Sequence, residues 1–365
     1  MVPKPLRGVY VWLLAGCLLI AAMVTIGGIT RLTGSGLSIT EWDVIVGALP
    51  PLSEGQWQDL FAKYQATPQY QQVNTHFELG EFKQIFWWEY IHRLLGRAIG
   101  IVFLIPFLYF LIRRRFTPAL RNQVLLIFAL GAFQGVLGWF MVASGLVNRP
   151  SVSHYRLAAH LLTALVTFAV TLWVALSLEE TARISLSRRA SRAVAVFAVL
   201  LLVQITYGGF TAGLRAGGMF NTFPLMGNGL VPPGIATLSP VWSNLTQNPV
   251  TVQFIHRVLA GLLLAAGLAV GRTLVREQHP REGLLLGGAV VLQFALGVLT
   301  ILGFPAHPVF WGAIHQAGAV VLLTATVLAL HAAGRVGAID DSRLTMDNYV
   351  SGVSEKRRLV PEPAE

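Results

Sequence analysis

Long apolar runs separated by polar breaks set the pattern of this chain. A helix that crosses a bilayer needs about 20 mostly apolar residues. Eight stretches meet that length, at roughly 9–29, 90–112, 122–143, 154–177, 192–212, 252–274, 283–303 and 308–331. The breaks are of two kinds. One kind is short and basic: Lys4 and Arg7 before the first run, Arg113, Arg114, Arg115 and Arg121 after the second, Arg183, Arg188, Arg189 and Arg192 after the fourth, Arg272, Arg276 and Arg281 after the sixth, and Arg335, Arg343, Lys356, Arg357 and Arg358 after the last. If every run crosses, all of these fall on one side, which the positive-inside rule makes cytoplasmic, together with both termini. The other kind is long and lies on the opposite side, at about 31–85 and 213–249. The first of these carries Pro50-Pro51 and a helical pattern near Gln56–Tyr64, which predicts an ordered cap. The second is rich in Gly, Pro and Asn, and the tail from about Gly337 is polar and predicted flexible.

Composition supports an all-α integral membrane protein. The 365 residues are 54% hydrophobic and 12% charged, against roughly 25% charged in soluble domains. Mean hydropathy is +0.62. The net charge of +10 belongs to the basic loops and gives no reason to invoke nucleic acid. A single cysteine, Cys17, excludes a disulfide framework, a thiolate metal cluster and a Cys-x-x-Cys-His haem attachment. Leu14-Ala15-Gly16-Cys17 looks like a lipoprotein cleavage box, but the apolar run continues to Gly28, so the first run is read as a retained span.

The two halves repeat. Gly27-Gly28-Ile29-Thr30 resembles Gly208-Gly209-Phe210-Thr211, Ile91-His92-Arg93 matches Ile255-His256-Arg257, Gln134 with Leu137-Gly138 matches Gln293 with Leu296-Gly297, and His160 corresponds to His315. Order is kept through four spans per half, which implies equal topology and an axis along the membrane normal. The expected architecture is two pseudo-symmetric four-helix bundles, residues 1–180 and 181–335, followed by a tail at 336–365.

Each half then carries two intramembrane histidines, His92 with His160 and His256 with His315, all toward the outer side. Charged and ionisable groups at membrane depth are costly and mark function. One such histidine is ordinarily a hydrogen bonder between helices. Two symmetric pairs at one depth fit haem iron ligated from both faces inside a helical bundle. A flat macrocycle needs room, and the residue four places after each histidine is small: Gly96, Ala164, Ala260 and Ala319. No carboxylate or thiolate completes either pair as a zinc site. Glu89, one turn before His92, is matched by Gln253 in the second half. A carboxylate there is expected either to handle protons or to pair with Arg93 four residues on. Arg31, Arg93, Arg97 and Arg257 are candidates for haem propionates or for snorkelling to the interface.

GGITRLTGSGLSITEW (27–42), FKQIFWWEYIHRLLGRAIG (82–100), YRLAAHL (155–161), QFIHRVLAG (253–261) and the His315-Gln316 pair resemble the haem A synthase family, in its mitochondrial and proteobacterial branch, over about residues 8–332. The resemblance implies a bacterial inner-membrane oxidoreductase that hydroxylates the C8 methyl of haem O twice, the gem-diol losing water to a formyl group, and supplies haem A to cytochrome oxidase. It implies that His92 and His160 hold the haem O substrate, that His256 and His315 ligate a permanent haem b, and that Glu89 is the essential carboxylate. It also implies homo-oligomers and a haem O synthase as partner. Another branch carries cysteine pairs in its outer loops, which this chain lacks. Composition by itself also accommodates a diheme b-type cytochrome oxidising a quinol, or a transporter built from parallel repeats.

Overall fold

The structure is a computed structural model and describes residues 2–42, 46–145, 150–179 and 186–333. The expectations for Arg183, for the basic residues from Arg335 onward and for the tail lie outside these residues. The described residues form eleven α-helices: α1 (Arg7–Leu32), α2 (Glu54–Gln65), α3 (Pro68–Gln72), α4 (Leu79–Ile112), α5 (Pro118–Gly145), α6 (His154–Ser177), α7 (Arg188–Gly213), α8 (Asn244–Gln247), α9 (Pro249–Arg276), α10 (Pro280–Gly303) and α11 (Pro308–Ala333). Eight of them, all but α2, α3 and α8, are long and apolar enough to span a membrane. Their backbone polar groups are paired internally, as a bilayer demands. Helix starts are fixed by local chemistry. Asn248 caps α9 by accepting from the Val250 and Thr251 N–H groups at 2.9 and 3.3 Å, with Pro249 at the first helical position.

The second span departs from expectation. It begins at Leu79, well before the apolar run. Residues 79–89 contain Glu81, Lys83 and Glu89, so their mean polarity hides a helix. Yet Phe82, Ile85, Phe86 and Tyr90 recur at helical spacing, and all four are buried in a cluster with Trp57 and Tyr64 of α2. Trp57 meets Phe86 edge-on at 4.9 Å, and Tyr64 stacks on Phe82 at 5.2 Å. The described part of the cap expected over 31–85 is therefore folded, with α2 packed on the extension of α4.

The helices α1, α6, α7 and α11 lie centrally. α1 packs on α4, α6 and α11, while α6 also touches α5, α7 and α11. α9 and α10 complete a ring with α7 and α11. The flanks differ in one respect. α9 and α10 touch backbone to backbone: a Cβ on Gly271 would lie 2.7 Å from the Gly283 carbonyl oxygen. α4 and α5 are spaced apart by phenylalanines, with Phe107 and Phe128 at 5.0 Å and Phe103 and Phe128 at 6.3 Å. The outward face of α4 (Ile101, Leu104, Ile105, Leu108 and Ile112) is apolar and exposed, as a lipid-facing surface requires. At the opposite end from the cap, Glu277 accepts from the Ser187 N–H and Oγ at 2.8 and 2.6 Å, tying the start of α7 to the end of α9. The Ser187 hydroxyl, then its amide, holds the Glu277 carboxyl below its ordinary range.

The glycine contact makes a direct prediction. Gly283→Ala drives a Cβ into the Gly271 carbonyl, and overpacking of this kind costs about 1–3 kcal/mol. Gly287→Ala, whose Cβ would meet open space, is neutral or slightly stabilising. Thermal unfolding of the two variants in detergent measures the difference.

Candidate functional site

The four histidines share one packing device. His92 on α4 lies against Gly27 of α1, and a Cβ there would be 3.0 Å from its Cε1. His256 on α9 lies in the same way against Gly208 of α7, at 3.3 Å. His160 on α6 faces Gly138 of α5 at 3.5 Å, and His315 on α11 faces Gly297 of α10 at 3.3 Å. In each case a helix presents a bare backbone so that the neighbouring helix can turn an imidazole inward. A glutamine one turn earlier on the glycine's helix braces three of these seats. Gln134 donates to the His160 carbonyl at 2.8 Å, Gln204 to that of His256 at 3.1 Å, and Gln293 to that of His315 at 3.1 Å. The expected correspondence of Gln134 with Gln293 thus has a structural meaning. Gln204 is a functional position the sequence reading missed, although Gln-x-x-x-Gly recurs at 134–138, 204–208 and 293–297 and would have revealed it.

The ring nitrogens separate the two readings of these residues. Among the described residues, Nδ1 of His92, His160 and His256 is buried without a hydrogen-bond partner. The two ring nitrogens of His315 have the Gln293 amide nitrogen of the neighbouring helix at 3.3 and 3.4 Å. Three of the four histidines thus leave Nδ1 without a partner in the protein. His256 and His315 lie with ring centroids 6.4 Å apart and planes at 86°. A metal held between two imidazoles by bonds of about 2.0–2.1 Å sets ring centres about 6 Å apart, so the pair fits a bis-histidine haem. The small residue Gly96 does not face a cofactor space. It opens toward α1, where the Met23 methyl is 3.3 Å from the missing Cβ.

Glu89 is buried and fully engaged. Arg93 donates to its Oε1 through Nε and Nη2 at 3.1 and 2.6 Å, while the Ser38 hydroxyl and Ile39 N–H donate to Oε2 at 2.8 and 2.9 Å. Arg93 continues to the Ile39 and Glu41 carbonyls at 2.8 and 2.7 Å and stacks on Trp42 at 4.9 Å. The expected Glu89–Arg93 pair therefore exists, and together they pin the loop at 38–42 onto α4. Gln253 does the converse in the second half: its amide donates to the Phe220 carbonyl at 3.1 Å, and Arg257 donates to the carbonyls of Phe220 and Thr222. Arg31 donates to the Gly213 carbonyl at 3.0 Å, linking the ends of α1 and α7. Three of the four arginines considered for propionates thus bind backbone carbonyls. A cleft of about 420 Å³ lined by Trp42, Ala132, Gly135, Val136 and Trp139 opens beside the His160 seat, and Trp42 itself reaches 3.8 Å from the Gly138 Cβ position.

The two pairs meet at α1. Gln316, next to His315, donates to the Val24 carbonyl and packs over Gly28. Gly27, the adjoining residue, seats His92. On the other side Gly209, next to the seat of His256, faces Ala158 of α6, whose Cα and Cβ would lie 3.1 Å from a Cβ placed there. Among the five other histidines, three have these structural contacts: His154 opens α6 against Phe210, His279 pairs with Glu282 at 3.8 Å, and His331 lies against Trp173 and Ser177. Among the described residues no group of three or more His, Cys, Asp or Glu gathers as a metal site.

Eight membrane-length helices, with four histidines each seated against a glycine of a neighbouring helix, define a multi-pass helical membrane protein. The model of the cytochrome oxidase assembly protein family COX15-CtaA matches residues 10–327, and the chain belongs to that family. It is 44% identical over 337 residues to a heme A synthase of Flavobacterium psychrophilum, covering 89% of this chain and 98% of that protein. It is 45% identical over 340 residues to a heme A synthase of Nitrosospira multiformis, with 90% and 94% covered. A heme A synthase of Rhodopseudomonas palustris is 44% identical over 367 residues, with 99% and 97% covered.

The Glu89 cluster predicts a thermodynamic cycle. Arg93→Ala leaves a buried carboxylate unpaired and costs about 3–5 kcal/mol. Adding Glu89→Gln removes that charge and recovers part of the loss. Thermal unfolding, with proteolysis of the loop before α2 as a local readout, measures both steps.

Proposed function

We propose that this protein is a haem A synthase, an oxidoreductase that converts the C8 methyl of haem O to a formyl group by two hydroxylations and loss of water. The observation that carries the reading is the set of four imidazoles seated against glycines of neighbouring helices, three of which leave Nδ1 without a partner in the protein. Its family and the printed names of its relatives support it. In this reading His92 and His160 bind the substrate haem O, while His256 and His315 bind a resident haem b that supplies electron-transfer chemistry. The 6.4 Å spacing of the second pair supports that assignment.

Glu89 is the acidic residue of the substrate half. Its place one turn before His92 supports a role in holding or moving a proton beside the substrate, and the four hydrogen bonds it accepts fix the loop over that pocket. The basic loops support an orientation with the histidines toward the outer leaflet of the bacterial inner membrane and the termini in the cytoplasm. The two halves act as separate four-helix units, the first for substrate and the second for cofactor. The absence of any cysteine but Cys17 favours the branch without loop cysteine pairs. A haem O synthase as donor of substrate and a homo-oligomeric assembly belong to the same reading.

The test is extraction and chromatography of haems from cells that make haem O, with and without the protein. Alcohol and formyl derivatives appear only with it. Fixed haem b with no derivative identifies a diheme cytochrome instead, and no bound haem identifies a transporter. Glu89→Gln keeps haem b absorbance and lowers turnover by at least tenfold, in line with loss of a general acid or base. Loss of haem b in that variant assigns Glu89 to structure alone.

A further inference from the structure

The four histidine seats differ at one residue. On α5, α7 and α10 the glutamine of Gln-x-x-x-Gly clamps the carbonyl of the opposed histidine. On α1 the same spacing before Gly27 falls on Met23. The Met23 methyl sits beside Gly96, whose N–H takes the His92 carbonyl within the helix. Met23 therefore fills the place of the clamp and has no N–H to donate. Among the described residues no side chain donates to the His92 carbonyl, whereas the other three histidine carbonyls each receive a second bond. Gly96 makes room for the thioether, and its counterpart beside the clamped His256 is Ala260.

The exception falls where a clamp would matter most. Towards their other ends the flanking helices also differ: α4 and α5 are spaced by Phe103, Phe107 and Phe128, while α9 is fastened to α10 through Gly271 and Gly283. His160, the partner of His92, is clamped. His160 of the first pair thus carries the amide clamp and His92 does not, while both His256 and His315 carry it.

We propose that Met23 is a positioning residue that leaves His92 the yielding ligand, so that the His92–His160 pair exchanges its haem while the His256–His315 pair retains its own. This rests on the reading of His92 and His160 as the substrate pair. A thioether tolerates sliding because its packing is soft and undirected. A directed amide–carbonyl bond does not, and its loss changes a rate by about fivefold.

The test exchanges the two residues in the full-length protein. Met23→Gln is expected to release product haem to an apomyoglobin trap about fivefold more slowly, with turnover falling in step and haem b content unchanged. Gln204→Met is expected to release haem b about fivefold faster. Met23→Leu, apolar and without a donor, keeps the wild-type release rate. The proposal is overturned if Met23→Gln releases product at the wild-type rate, if Leu and Gln slow release equally, or if Gln204→Met holds haem b as before. Failure of the functional reading is separate, because then the wild-type protein yields no modified haem to follow.

Discussion

An imidazole can enter the interior of a helical membrane protein only where the neighbouring helix gives up a side chain. That constraint, met by Gly27, Gly138, Gly208 and Gly297, orders the rest of the structure. It fixes which helices are neighbours, because each histidine helix must lie beside a glycine helix at one height. It also explains why the chain uses α1, α5, α7 and α10 to carry the seat glycines, with a bracing glutamine on all but α1, and α4, α6, α9 and α11 to carry the histidines. Neither group of helices makes a site alone.

The loop cap depends on the same arrangement at one remove. Glu89 and Arg93 flank His92 on α4 and reach outward to residues 38–42. The loop is long, yet it is held by a buried ion pair and by the aromatic cluster on α2. In the second half a neutral amide does the corresponding work on residues 217–222. The chemical difference between a carboxylate that accepts and an amide that donates is therefore written into which backbone groups each loop turns inward.

Much of this was legible in the sequence. The eight spans, the matching of the four histidines between the halves and the pairing of Glu89 with Arg93 follow from hydropathy, spacing and charge. The early start of α4 did not, because a hydropathy window averages Glu81 and Lys83 with the aromatics that define the buried face. The role of Gly96 was misjudged for another reason: a small residue signals space without saying what fills it, and here a methionine from another helix does. The seat glycines were hidden by abundance, since glycine is common throughout the chain. Gln204 was hidden because one side of its repeat, Met23, had diverged. Tertiary contacts, which sequence pattern does not carry, decide the first three.

The hydrogen bond from Gln316 to the Val24 carbonyl joins residues from opposite ends of the chain. Gly27 and Gly28 are consecutive, so one helix turn of α1 touches His92 on one side and the neighbour of His315 on the other. That turn is a common strut. Any tilt or slide of α1 alters both histidine pairs at once, and neither can be re-tuned by substitutions on α1 without registering at the other.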